Sequence, residues 1–287
     1  MKTIIYFFQY LLIKIFFIIF KFIGYERASN FGEKLGKKIG PFLKSKVVIR
    51  KNFKIYNPHL DEMTIEKLIE RMWGNYGRIF AEYMYIKDFR LNKLDRHLKL
   101  NGLENLKNIK ERKQRVVFIS AHFNNFELMA MQIEKYGFDI GAVYRPLNNI
   151  FLNRTMEKIR KNYICKIQIK KGLSGLRDIL KILKKNYSIA MMIDQRVTEG
   201  IKIDFFNKPA FTTSIPAQLV KKFNCPIIPV YIERKNKINF ELTFNKPIYF
   251  SENESLENIS KELNIWLEKM IVKNPDQWIW SHNRWKL

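Results

Sequence analysis

Cysteine is scarce in this 287-residue chain, which has two, Cys165 and Cys225, far apart in the sequence. Two isolated thiols match no zinc or iron–sulfur spacing, so we expect no metal site and no cofactor. Unpatterned cysteines are typical of a reducing compartment. We expect both to be small buried apolar side chains.

Acidic residues are also few, with 27 Asp and Glu against 52 Lys and Arg, for a formal net charge of +25. Such an excess favours an anionic partner: a nucleic acid, a membrane surface, an acidic protein or a phosphorylated substrate. The hydrophobic fraction of 47% excludes a disordered chain. No internal repeat, low-complexity linker or second domain boundary interrupts the sequence.

The N-terminal apolar run lacks the small-residue cleavage site of a secretory signal, so we expect it to be retained. It extends from Thr3 to Ile23, long enough to cross a bilayer. Lys14 and Lys21 lie seven residues apart on one helical face. A spanning helix would direct Lys14 to protein or let it snorkel, and an interfacial helix would place both lysines among headgroups. A buried helix of a soluble protein is the third reading.

A strongly basic stretch follows this run, with ten Lys and Arg against two Glu between Lys21 and Lys54. Positive charge beside a membrane segment marks the cytoplasmic side and binds anionic lipids, although it could also be an ordinary solvated face. We therefore predict a membrane anchor over residues 1–24 and a single domain over 25–287 that faces the cytoplasm.

The rest of the chain alternates between helical and strand patterns. Apolar spacing of three and four predicts a helix over 61–86, and further helices are indicated near 126–136, 150–162, 173–185 and 213–223. Between them stand the strand-like runs "RVVFISA", "IGAVYR", "SIAMMID", "PIIPVYIE" and "INFELTF". We predict an α/β fold with a mixed, largely parallel sheet covered by helices, and "INFELTF" as an antiparallel edge.

One histidine lies where a predicted strand ends and a helix begins, in "SAHFNNFELMA". This is where active sites of open α/β sheets cluster. If His122 precedes the helix and Glu127 begins it, the carboxylate can orient the imidazole as a general base. The other interpretation is a packed histidine beside an unrelated helix-start acid. No Gly-x-Ser-x-Gly or Walker-type motif supplies another centre, so a substrate hydroxyl would attack directly.

Six segments in series resemble the bacterial lipid A late acyltransferases, within the lysophospholipid-acyltransferase type. They are "NFKIYNPHLDEMTIEKL", "HFNNFE", "VYRPLNNIFLNRTMEKIR", "MMIDQR", "DFFNKPAFTTSIPAQLVKKFNCPIIPVYIER" and "WIWSHNRWKL". The chain departs from that family's usual glycine at Asn124, Asn186 and Asn207. Asparagine tolerates positive φ, so the turns are expected to survive.

The resemblance implies a glycerolipid-acyltransferase-like fold and an inner-membrane enzyme facing the cytoplasm. It would move a fatty acyl chain from an acyl carrier protein thioester to a hydroxyl of a lipid A precursor. His122 would be the base and Glu127 its orienter, and Arg145, Arg160 and Asp194 would bind substrate. Their plainer readings are surface salt bridges for the arginines and a turn cap for Asp194. The terminal tryptophans would serve packing or a membrane-interface belt.

Three other readings stay open. The acceptor could be a lysophospholipid or another glycolipid, with the same two catalytic residues. A catalytically inactive membrane-binding relative would keep the fold alone. A nucleic-acid-binding protein would use the positive charge, but no such motif is present, and we expect no nucleic-acid partner.

Overall fold

A seven-stranded sheet forms the centre of the protein, in a computed structural model that describes residues 2–286. The strands are β1 Leu98–Asn101, β2 Val117–Ser120, β3 Ile140–Tyr144, β4 Ile167–Lys170, β5 Ser188–Met192, β6 Ile201–Phe205, β7 Lys208–Thr212, β8 Ile227–Lys235 and β9 Asn239–Phe244. The helices are α1 Lys2–Ile23, α2 Tyr25–Leu43, α3 Lys46–Tyr56, α4 Glu62–Glu82, α5 Ile86–Arg90, α6 Glu104–Glu111, α7 Glu127–Lys135, α8 Ile150–Ile159, α9 Leu173–Lys184, α10 Ile215–Phe223 and α11 Leu256–Lys273.

The strand order is β1-β9-β8-β2-β5-β3-β4, and β6 and β7 form a separate antiparallel hairpin. β8 and β9 pair antiparallel, and the other neighbours in the large sheet pair in parallel. The predicted mixed, largely parallel sheet is therefore confirmed. β9 runs antiparallel as expected, but it is not an edge strand, because β1 pairs along its outer side.

The central strand β2 is buried along its whole length. This explains its continuous apolar sequence, since a strand covered on both faces has no polar side. Asn124, in the turn that follows, has φ 43°, and Asn186 and Asn207 also adopt positive φ. The asparagines therefore support the turns for which glycine would be the usual residue.

Helices α2 and α4 cross at very close range. Gly32 and Gly77 allow this approach, because a Cβ on either glycine would collide with the carbonyl oxygen of the other. A buried ion pair fastens α4 to β8, with Arg234 donating to both carboxylate oxygens of Glu82. The helical N-terminal third is thus fixed firmly to the sheet.

The C-terminal tryptophans belong to the core rather than to a membrane-interface belt. Trp278 and Trp280 are fully buried, and Trp285 is nearly so. Cys165 and Cys225 are buried too, as expected.

Candidate active site

Strand register brings His122 and Asp194 together. β2 and β5 are parallel neighbours in which Ser120 lies opposite Met192. Each of the two site residues follows its strand by two positions, so they leave the same edge of the sheet side by side. Carboxyl ends of parallel strands are where open α/β sheets place their ligand sites.

Asp194 binds His122 at two atoms. Its Oδ1 lies 2.8 Å from the imidazole Nδ1, and its Oδ2 accepts the His122 backbone N–H at 3.0 Å. The indole N–H of Trp278 donates to the same Oδ2 at 2.9 Å. Asp194 is fully buried, so its negative charge is stabilised by these three donors and not by water.

The electrostatics of the pair fix the tautomer of the imidazole. Burial raises the pKa of Asp194, but the His122 ring, the His122 backbone N–H and the Trp278 indole outweigh it and lower the pKa to about 2. Burial lowers the pKa of His122, and the Asp194 charge and hydrogen bond more than reverse this, so the net pKa is raised. An ionised carboxylate only accepts, so Nδ1 carries the proton and Nε2 is left as the basic nitrogen.

Glu127 does not hold the imidazole, and this corrects the expected pairing. Its Oε1 accepts from Nε and Nη2 of Arg160, at 2.8 Å and 2.5 Å. Glu127 is the first residue of α7, which packs against the turn Arg160–Ile164. The carboxylate therefore points to the end of α8, while Asp194 already occupies Nδ1 of His122. Glu127 acts on His122 only at longer range, through its charge.

Arg160 is held on two sides. Its side chain is 12% exposed, and its guanidinium also lies over the Tyr144 ring, 5.3 Å from the centroid. Tyr144 is fixed in turn by donating to the Glu157 carboxylate. A planar, always charged group anchored in this way is suited to binding a carbonyl oxygen or a phosphate.

A cavity of about 580 Å³ opens at this edge of the sheet. His122, Glu127, Arg145 and Arg160 all line it, so the structure brings four of the five predicted site residues to one space and seats Asp194 behind His122. Apolar side chains from β2, β3, β5 and α7 line the remainder, among them Phe118, Ala142, Ala190, Met129 and Ile133. Extended chain from Phe118 to His122 would rise by about 13 Å, which is an upper limit for the depth of the apolar part.

Arg145 and Lys171 form a second register pair at the cavity. β3 and β4 run parallel with Tyr144 opposite Lys170, so the two cations each lie one residue beyond the paired positions. Partial burial and the charge of Arg145 hold the pKa of Lys171 below its usual range. Within residues 2–286 neither cation forms an ion pair.

Neither cysteine lines the cavity, and neither is activated as a nucleophile. Burial raises the pKa of Cys165 to about 12 and that of Cys225 to about 11, so both stay as thiols. The Ser120 hydroxyl donates to the Val230 carbonyl. The arrangement therefore suits a base that activates a hydroxyl brought by a substrate.

Comparison with known proteins decides the family. The family described as bacterial lipid A biosynthesis acyltransferase matches residues 1–287. This chain belongs to that family. Its relatives include the lipid A biosynthesis palmitoleoyltransferase of Escherichia coli K12, 25% identical over 261 residues (89% of this chain and 83% of the relative). The lauroyltransferase of the same organism is 23% identical over 269 residues (91% and 86%).

A lipid A biosynthesis acyltransferase of Haemophilus influenzae is 24% identical over 246 residues, covering 83% of this chain and 76% of the relative. The chain is thus an enzyme of the late acyltransferase type. Its helix α1 is long and apolar enough to cross a membrane by length and composition, which indicates membrane association.

Two residues of the candidate site are not among those predicted from the sequence. Trp278 belongs to the terminal segment expected to serve packing or a membrane-interface belt, but its indole N–H donates to Asp194. Lys171 carried no motif, and only the pairing of β3 with β4 places it beside Arg145. Strand pairing is the signal that the sequence does not show, both for the contact of Asp194 with His122 and for the place of Lys171.

Proposed function

We propose that this lipid A-type acyltransferase moves a fatty acyl chain from an acyl carrier protein thioester to a hydroxyl of a lipid A precursor. The observation that carries the proposal is the His122–Asp194 pair, whose free imidazole nitrogen belongs to a partly apolar cavity. The relatives that support it are named for lipid A biosynthesis.

His122 is the general base in this scheme. Its Nε2 removes the proton from the acceptor hydroxyl as that oxygen attacks the thioester carbonyl. The C–S bond breaks, and the thiolate leaves with the proton returned by the imidazolium. Asp194 stabilises the imidazolium and keeps Nδ1 protonated throughout.

Arg160, positioned by Glu127, supplies positive charge to the reacting carbonyl. Its Nε and Nη2 are held by the carboxylate, which leaves Nη1 to donate to the oxyanion as it develops. A donor fixed before the reaction needs no reorganisation, and this is why such a group lowers the barrier. Glu127 therefore serves the reaction through Arg160 rather than through His122.

Arg145 and Lys171 bind the acceptor's phosphate. They are adjacent cations without an acidic partner in the described part of the chain, and Lys44 lines the same cavity. A phosphate neutralises the repulsion between them, so binding is favoured by relief of like-charge contact as well as by direct hydrogen bonds. The apolar part of the cavity takes the acyl chain.

The positive charge of the chain supports both the proposed acyl donor and the proposed location at the inner membrane. An acidic carrier protein would approach the basic surface of a chain with net charge +25. Basic residues between Lys21 and Lys54 would contact anionic lipids of the inner membrane, with the catalytic site on the cytoplasmic side. Residues 1–24 serve as the anchor and 25–287 as the catalytic domain.

The test is incubation of the full-length protein with an acyl carrier protein donor and a lipid A precursor, scored by mass. Wild type should add one acyl chain, and His122→Ala should slow the transfer by about 10²-fold or more. Equal rates from the two proteins would refute the role of His122. Lipids of a deletion strain separate the acceptors: unchanged lipid A with altered phospholipids would assign a lysophospholipid acceptor instead.

A further inference from the structure

One face of helix α1 is docked on the protein near its N-terminal end. The Asn149 side chain donates to the Tyr6 carbonyl at 2.8 Å, and the Phe151 ring contacts the Tyr10 ring and, at the border of this face, the partly exposed Phe7 ring. These contacts fasten the first turns of α1 to the start of α8.

The same face is docked at the other end of the helix. Phe80 of α4 contacts the rings of Phe17 and Phe20, and the Tyr85 hydroxyl donates to the Phe20 carbonyl. Lys21 forms an ion pair with Asp88. From Tyr6 to Lys21 the docked length is about 22 Å of a helix about 33 Å long. α1 therefore lies along the catalytic domain rather than projecting from it.

The opposite face of α1 is uncovered and apolar. At about 100° per residue, its exposed large apolar side chains fall within an arc of about 160°. They are Ile4, Ile5, Phe7, Phe8, Leu11, Leu12, Ile15, Ile18, Ile19 and Phe22. Lys14 and Lys21 lie just beyond one border of that arc, about 20–40° outside it.

We propose that α1 does not span the membrane but lies in the plane of one leaflet, with the arc facing the acyl chains. A spanning orientation would carry the docked α8 into the hydrocarbon, together with the exposed charged side chains of Arg154 and Lys158. Charges at that depth are costly unless they face water or a partner. An in-plane helix instead places Lys14 and the Lys21–Asp88 ion pair at headgroup level, where the charge of Lys14 is complementary to anionic lipids.

This placement goes beyond the acyl transfer itself, because it fixes how the cavity meets the membrane. Leu147 lines the cavity and is 41% exposed, and Ile150 is 49% exposed beside the Asn149 that holds α1. Exposed apolar side chains thus lie both at the cavity and beside the residue that holds α1. A lipid acceptor can then reach His122 by lateral movement within the leaflet.

The test measures the depth of three positions on the uncovered face. Ile5, Leu12 and Ile19 are seven residues apart, point in nearly the same direction and are exposed. Each is replaced singly by cysteine and labelled with a nitroxide in the full-length protein. The protein is reconstituted in phosphatidylethanolamine–phosphatidylglycerol vesicles. Relative accessibility to oxygen and to a water-soluble nickel chelate gives the depth of each label.

An in-plane helix places all three labels in the acyl region at depths that agree within about 5 Å, one helical turn. A spanning helix separates neighbouring labels by about 10 Å along the membrane normal and would overturn the proposal. Ser251 lies in an exposed loop, and a label on Ser251→Cys gives the accessibility of a position in water. If all three labels on α1 are as accessible to water as this one, the proposal is also overturned. The buried Cys165 and Cys225 keep the unsubstituted protein unlabelled as a blank. These depths are independent of acyl transfer, so a failed assay of the proposed reaction leaves the result standing.

Discussion

Asp194 binds His122 through both carboxylate oxygens, one on the imidazole and one on the backbone N–H. A single buried acid thus fixes the ring and the turn that carries it. Rotation of the ring would break the hydrogen bond at Nδ1. The hydrogen bond to the backbone N–H would still hold the turn in place. The basic nitrogen is therefore aimed by a rigid, fully buried support.

Replacing Asp194 with asparagine should change the pH profile of acyl transfer as well as its rate. Only the neutral imidazole accepts a proton, so wild-type kcat/KM should fall as pH is lowered through the raised pKa of His122. Without the Asp194 charge, burial dominates and that pKa falls, so the acid limb should move to lower pH. The plateau rate should fall by about 10²-fold or more, because the imidazolium loses its counter-charge. Steady-state rates between pH 5 and 9 measure both effects.

Asp204→Asn is the charge-matched control, since Asp204 is exposed on the β6–β7 hairpin. It should leave the profile unchanged. An acid limb that stays in place in Asp194→Asn would show that the carboxylate does not set the pKa of the catalytic group.

The Glu127–Arg160 pair should behave as one unit. Glu127→Gln leaves Arg160 without its anchoring charge, and Arg160→Lys removes the planar donor that we propose for the oxyanion. Each single variant should lower kcat by roughly 10²-fold. The double variant should be scarcely slower than either, because both changes remove the same interaction. Rates of the four proteins form a double-mutant cycle.

The buried Glu82–Arg234 pair provides the comparison for this cycle. Glu82→Gln also breaks a buried ion pair and should lower the free energy of unfolding by about 3–5 kcal/mol. Its folded fraction should nevertheless keep the wild-type kcat, since Glu82 lies outside the cavity lining. If the losses of kcat in Glu127→Gln and Arg160→Lys add up in the double variant, the two residues act independently and do not form one unit.

Local sequence patterns were sufficient for most of the large sheet. All five apolar runs became strands, and β2 and β8 show why: runs rich in β-branched residues are buried on both faces. The pattern failed for β1 and β4, each four residues long, because such short stretches carry little periodicity. The edge position assigned to β9 was wrong because strand order depends on contacts distant in the sequence.

The candidate site also has one part that local sequence predicts and one part that depends on strand pairing. Placing His122 at the end of a strand required only local pattern, and the structure confirms that position. Its partner required knowing that β5 lies beside β2 with Ser120 opposite Met192. The proximity of Glu127 in sequence therefore gave the wrong carboxylate for the imidazole, while Asp194, 72 residues away, is the one in contact.

Trp278 should support catalysis through Asp194, and Trp280 should not. Both are fully buried, and both donate an indole N–H, Trp278 to Asp194 and Trp280 to the Pro275 carbonyl. Changing either to phenylalanine removes similar volume, so similar losses of stability are expected. Only Trp278→Phe should lower kcat, by about tenfold, since a hydrogen bond to a charged group contributes about 1.5–3 kcal/mol. Thermal unfolding, kcat and KM are measured for both variants, and KM should be the same in the two. If the two kcat values are equal, Trp278 is only a packing residue.

Arg145 and Lys171 should determine affinity for a phosphorylated acceptor. Arg145→Ala and Lys171→Ala each remove one of two adjacent cations at the cavity. KM for the acceptor should rise by about tenfold with kcat little changed, because a charge-assisted hydrogen bond is lost from binding alone. Added salt should shrink the difference from wild type, since screening weakens the same attraction. The exposed Lys208→Ala on the β6–β7 hairpin is the control for net charge. An acceptor whose phosphate has been removed should have the same KM with wild type and with both variants. If the variants still show a higher KM than wild type with that acceptor, the phosphate binds elsewhere.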